Sequence, residues 1–129
     1  MTHYKNNKNY RVAVCFAVFL AMMLPAQSWA HAILVRSQPA KEVELTEAPK
    51  QIDVWFDDKV GSEFMALAVI DSTGKRVDNK DVAQETFNPA HLYCTVQPLP
   101  PGVYTVRYRV VSIDTHIVTG KFQFTIKAP

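Results

Sequence analysis

Residues 31–129 predict an all-β fold, a seven-stranded antiparallel sandwich of two sheets with Greek-key connections. Three observations carry this. Apolar and polar residues alternate in short runs, turn signals recur about every ten residues, and no useful helical periodicity follows residue 31. A small closed barrel is the other architecture that such a pattern allows.

The first strand is expected at Ala32–Arg36, stopped by Ser37-Gln38-Pro39. The second, Gln51–Phe56, ends at Asp57-Asp58-Lys59. Met65–Ile70 forms a third, closed by Asp71-Ser72-Thr73-Gly74, where Asp and Gly tolerate the backbone angles of a tight turn. A short strand follows at Arg76-Val77, then a polar, irregular stretch over 78–90. His91–Val96 comes next and stops at Pro98-Leu99-Pro100-Pro101-Gly102. Val103–Val111 alternates most clearly, with Tyr104, Val106, Tyr108 and Val110 on one side. Val118–Ile126 repeats the habit, with Phe122, Phe124 and Ile126 in phase. Tyr104, just after Pro-Pro-Gly, suits a tyrosine corner whose phenol bonds back across the turn. The sandwich is therefore of the immunoglobulin- or cupredoxin-like kind, and nothing divides it into smaller units.

The first thirty residues differ from the rest. Lys5, Lys8 and Arg11 form a basic head, with no acid before Glu42. Val12–Leu24 is an apolar run of about a dozen residues, shorter than the roughly 20 needed to span a bilayer core. Pro25 breaks it, and Ser28-Trp29-Ala30 places small residues at the −3 and −1 positions. This reads as a secretory signal peptide, residues 1–30, cut after Ala30; an uncleaved membrane anchor is the other reading of such a stretch. The leader holds three of the 14 basic residues and none of the 12 acids, so residues 31–129 carry 11 basic against 12 acidic. That balance removes any compositional case for nucleic-acid or polyanion binding. Cys15 lies in the leader, which leaves Cys94 without an intramolecular disulfide partner.

Chemistry-bearing side chains are few. The mature part has three histidines, His31, His91 and His116. In "SIDTHIVTG", residues 112–120, Asp114 and His116 are two apart, and in extended geometry both side chains share one face. A carboxylate and an imidazole converging on one point make half of a divalent-metal site. Cleavage after Ala30 would add to this, because His31 then offers its new α-amino nitrogen and its ring Nδ1 to one metal, a histidine brace. Two nitrogens from His31, one from His116 and an oxygen from Asp114 form an N₃O set suited to tetragonal Cu(II), whereas zinc prefers a tetrahedral set, often with Cys. The same residues also read as a surface histidine at a terminus and an aspartate capping a loop. Spacing alone does not decide between the two. In "HLYCTV", Leu92, Cys94 and Val96 share the core face, and His91, Tyr93 and Thr95 the outer one. Trp55 and Phe56 point to opposite faces, one into the core.

The stretches "HAILVRSQPA", "VWFDDKV" and "LPPGVYTVRYRVVSIDTHIVTGKFQFTI", with a leader cut directly before the histidine, resemble the CopC/PcoC family of periplasmic copper-resistance proteins. The resemblance samples nearly all of residues 31–129. It implies that His31, Asp114 and His116 bind one Cu(II) per mature chain, with an acidic residue nearby that Asp58 matches. Some members add a Met-rich loop with a His as a separate Cu(I) site. Here the corresponding "MALAVIDSTGKRVDNKDVAQ" holds only Met65 and no His, and soft thioethers are what select Cu(I). The resemblance thus implies a Cu(II)-only, monomeric, periplasmic carrier or buffer in copper resistance, homeostasis or uptake, with a CopD-like inner-membrane copper transporter as partner. It implies no enzyme. Oxidative copper enzymes also chelate copper with a mature N-terminal His, but they keep copper positions open for oxygen and are larger. A metal-free sandwich module for interaction is the other alternative.

Overall fold

In the computed structural model the described residues are 32–129 together with Cys15. The expected leader and His31 lie outside the described residues. Eight strands follow in order: β1 (Leu34–Gln38), β2 (Glu44–Leu45), β3 (Gln51–Phe56), β4 (Ala66–Ile70), β5 (Ala83–Glu85), β6 (Asn88–Thr95), β7 (Gly102–Val111) and β8 (Ile117–Ile126). They form two four-stranded sheets, β1-β3-β6-β5 and β2-β8-β7-β4. The sandwich expected from the alternation is therefore present.

Its core is the set of inward positions that the period-2 pattern marks. Ile52, Val54 and Phe56 of β3 meet Leu92 and Cys94 of β6 in one sheet. Leu67 and Val69 of β4, Tyr104, Val106 and Val110 of β7, and Phe122, Phe124 and Ile126 of β8 close from the other. The Tyr104 hydroxyl donates to the Pro100 carbonyl, and its ring stacks on Phe124 with centroids 5.4 Å apart. This is the tyrosine corner. One carboxylate enters the core edge, that of Asp78, which accepts from the Val69 amide at 2.9 Å and pairs with Arg76 at 2.8 Å.

The strand list differs from expectation in three places. Arg76 forms only an isolated bridge to Ile70, because Val77 and Asp78 turn inward and Asp78 bridges to Val96, just past β6 of the other sheet, instead of extending the β4 ladder. The additional strand here is β5, inside the stretch read as irregular. All three of its residues are half-buried, so it carries no alternation to read. β2 is just two residues long and pairs in parallel with β8, Glu44 opposite Thr125; two residues are too few to show a period.

One end of the sandwich gathers several loops. β1 begins there, with Leu34 opposite Phe56, the last residue of β3. The 57–65 loop leaves β3 there, the β5–β6 turn lies there, and the β7–β8 hairpin turns there. Hydrogen bonds tie them together: Val60 N to the Pro89 carbonyl at 3.2 Å, Gly61 N to the Val111 carbonyl at 2.8 Å, and Gln84 Nε2 to the Val60 carbonyl at 2.9 Å. Val60 also bridges to Ser112.

Candidate metal centre

The β7–β8 hairpin ends with Val111 opposite Ile117. The five residues between them reverse the chain. Ser112 N donates to the His116 carbonyl at 2.9 Å, and Thr115 N to the Ser112 carbonyl at 2.9 Å. Thr115 takes a left-handed φ of 69°, which non-glycine residues adopt only where surrounding bonds enforce it. Asp114 and His116 therefore lie on a tight turn and not on an extended strand as the spacing suggests. They still converge, because the reversal at Thr115 brings the imidazole back toward the carboxylate.

His116 Nδ1 lies 3.0 Å from Asp114 Oδ2. The Ser112 hydroxyl donates to the other oxygen, Oδ1. Ser112 itself is buried and anchored to Val60, so the carboxylate is held from the frame of the sandwich. The bond from Ser112 holds the Asp114 carboxyl below the usual carboxylate range; slight desolvation opposes this, and His116 reinforces it. Asp114 is thus an anion at neutral pH. The imidazole is 62% exposed.

Ala32, where the continuous described segment starts, is buried and lines a shallow pocket with Ile33, Tyr108, Ile117 and Thr119. The N-terminal segment therefore enters the fold beside the residue that follows His116. Asp57 fastens it there. Its Oδ1 accepts from Ile33 N at 2.6 Å, and its own N–H donates to the Ile33 carbonyl at 2.9 Å. The Asp58 carboxylate accepts from the amide of Lys59 at 2.7 Å.

The other candidates sit elsewhere. His91 faces outward on the opposite sheet, bonded to Asp53 at 2.7 Å and stacked on Trp55 with centroids 4.3 Å apart. Arg36 covers the other face of Trp55 at 3.8 Å. Phe56 fills the core, its ring edge-on to Tyr108. Cys94 is fully buried, and burial pushes its thiol up to about 12. Among the described residues no group of three or more His, Cys, Asp or Glu is placed to hold a metal ion. Asp114 and His116 are a pair. Sequence reasoning missed the parts played by Ser112 and Asp57; the Ser112 hydroxyl also lies 3.2 Å from the His116 carbonyl, the local side-chain-to-backbone contact that a serine favours in a chain reversal.

A β-sandwich that presents an anionic carboxylate and an exposed imidazole at one hairpin tip, beside its N-terminal strand, has the frame of a small metal-binding domain. Residues 34–127 match the CopC domain family, and the chain belongs to this family of copper-resistance proteins. It is 35% identical over 125 residues to the copper transport protein CutJ of Bacillus subtilis (strain 168), covering 95% of this chain but 22% of that protein. The chain thus spans about a fifth of that relative's length. The crystal structure of CopC from Methylosinus trichosporium OB3b superposes with a TM-score of 0.70 at 32% identity, covering 75% of this chain and 94% of that one. PcoC from Escherichia coli, described as a methionine-rich copper resistance protein, superposes at 0.66 with 30% identity, covering 76% and 100%. No helix among the described residues is long and apolar enough to cross a membrane.

Proposed function

We propose that the chain is exported, trimmed after Ala30, and acts in the periplasm as a Cu(II) carrier or buffer. The carrying observation is the Asp114–His116 pair at 3.0 Å, on a turn adjoining the segment that continues from residue 31. One oxygen and one imidazole nitrogen are half of a tetragonal set. His31, with its α-amino and ring nitrogens, supplies the other half. Free α-amines titrate near about 7.7–8.0 and imidazoles near about 6.5, so both yield their protons to Cu(II) at neutral pH. Four donors in one plane leave little room for a reacting substrate at the metal, and in this reading the protein holds its ion without transforming it. Asp58 or its neighbour Asp57 adds negative charge close to the N-terminal segment.

Cu(II) selectivity has its support in composition. Met65 is the one methionine in residues 31–129, in contrast to the methionine-rich PcoC, and a single thioether cannot build a Met-rich Cu(I) site. The partner in this reading is a CopD-like inner-membrane copper transporter. The Bacillus copper transport protein, which includes a segment like this chain as 22% of its length, supports it. Competitive titration tests the proposal. The mature protein takes up one Cu(II), His116→Ala and Asp114→Ala each weaken uptake by about tenfold or more, and acidification releases the ion because all the donors bind deprotonated. Equal uptake by the two variants and the wild type would refute it.

A further inference from the structure

Seven large apolar side chains stand exposed among the described residues, and five of them lie at the end of the sandwich that carries Asp114 and His116. Ile33 and Ile117 are 61% and 60% exposed, Ile113 61%, Phe64 75% and Phe87 94%. Phe64 is on the 57–65 loop and Phe87 on the β5–β6 turn, the segments tied through Val60 to Ser112 and Pro89. The remaining two are Val35, on β1, and Val103, at the opposite end of β7. Single exposed apolar residues are ordinary, but five at the end of the sandwich that carries the site point to an interaction surface there.

Charge is gathered there too. Residues 57–65, 85–88 and 112–117 hold Asp57, Asp58, Glu63, Glu85 and Asp114 against Lys59 alone, while the rest of residues 31–129 carries seven acids and ten bases. An acidic rim repels anionic lipid headgroups. It also repels an identical acidic end, which disfavours a symmetric pairing of two copies through this face. A protein surface of opposite charge is attracted by it.

We propose that this end is the docking face for a protein that exchanges copper with the chain, and that the partner presents apolar pockets ringed by lysine and arginine around its own copper entry. This rests on the copper-carrying reading given above and extends it. Phe64 and Phe87 are the anchors, standing out from loops that hydrogen bonds fix to the hairpin of the site. Asp114 and His116 then meet the partner without any opening of the sandwich. The partner is the exported face of a membrane copper transporter.

Photo-crosslinking in the native host tests the face. Benzoylphenylalanine is placed at Phe64, at Phe87 and, as a control at the far end, at Val103, in cells grown with copper. The expected result is a crosslink from positions 64 and 87 to a membrane copper transporter, absent from position 103, and about tenfold weaker when Glu63 and Glu85 are both changed to Lys. Adducts confined to lipid or to a second copy of the chain, or equal yields at all three positions, would overturn it. Each variant is also titrated with Cu(II). Loss of copper uptake by the unmodified protein would refute the carrier reading, whereas intact uptake with misplaced crosslinks would refute the docking face alone.

Discussion

The Ser112 hydroxyl donates to Asp114 Oδ1 while Oδ2 of the same carboxylate faces His116 Nδ1 at 3.0 Å. A buried serine thus aims an exposed carboxylate, and the carboxylate in turn aims an imidazole. The depressed affinity of Asp114 for its proton is the signature of this chain of contacts.

Ser112→Ala removes the first contact. The Asp114 carboxyl should then titrate higher, nearer the ordinary value of about 3.9, in a carboxyl carbon NMR titration of the copper-free protein. In the wild type the folded-state value is depressed. The stabilisation from Asp114 is therefore complete above the unfolded value and is lost as pH falls through the folded one. In the variant that contribution shrinks. Cu(II) affinity should fall by about 10–100-fold, the range for removing a partner that orients a ligand.

Gly120 lies opposite Tyr108 in the β7–β8 ladder. A methyl group there would overlap the Tyr108 ring, coming within 2.9 Å of Cε1. The ring is half-buried, edge-on to Phe56, so a methyl group at 120 would force it off this packing toward the shallow pocket beside it. Gly120→Ala should destabilise the fold by about 1–3 kcal/mol in urea denaturation. Tyr108→Ala in the same chain should make the second change far less costly, as direct contact demands.

Cys94 should resist thiol reagents in the native protein at pH 8 and react fully on unfolding. Its thiol is pushed up to about 12, first by burial and then by the charges of Asp78 and Asp81. The sign follows from the raised value. Above about pH 8.5 the unfolded chain loses this proton while the folded one keeps it, so stability declines from there toward pH 12. Cys94→Val should flatten that alkaline decline.

Much of the sandwich was legible because its long strands bury one face and expose the other. β3, β7 and β8 appear within a residue of where alternation puts them. β2 and β5 were not legible, since a two-residue parallel contact and a half-buried edge leave no period. Of the candidate site, the convergence of Asp114 and His116 followed from their spacing, but for another reason than the one it suggested. A left-handed Thr115, fixed within the turn, and a Ser112 buried by its tertiary bridge to Val60 do what extended geometry was expected to do. Asp57, rather than a residue singled out by pattern, holds the N-terminal segment, because which of two adjacent aspartates faces β1 depends on where β3 ends.

The amino terminus is the central claim, and electron paramagnetic resonance on two forms of the mature chain tests it most directly. With His31 confirmed as the first residue, one equivalent of Cu(II) should give a single tetragonal signal with mixed nitrogen and oxygen donors. With one methionine added before His31, that signal should change, and competition should show binding weaker by about a hundredfold, or ~2.7 kcal/mol. Identical spectra and equal affinity for the two forms would contradict the account.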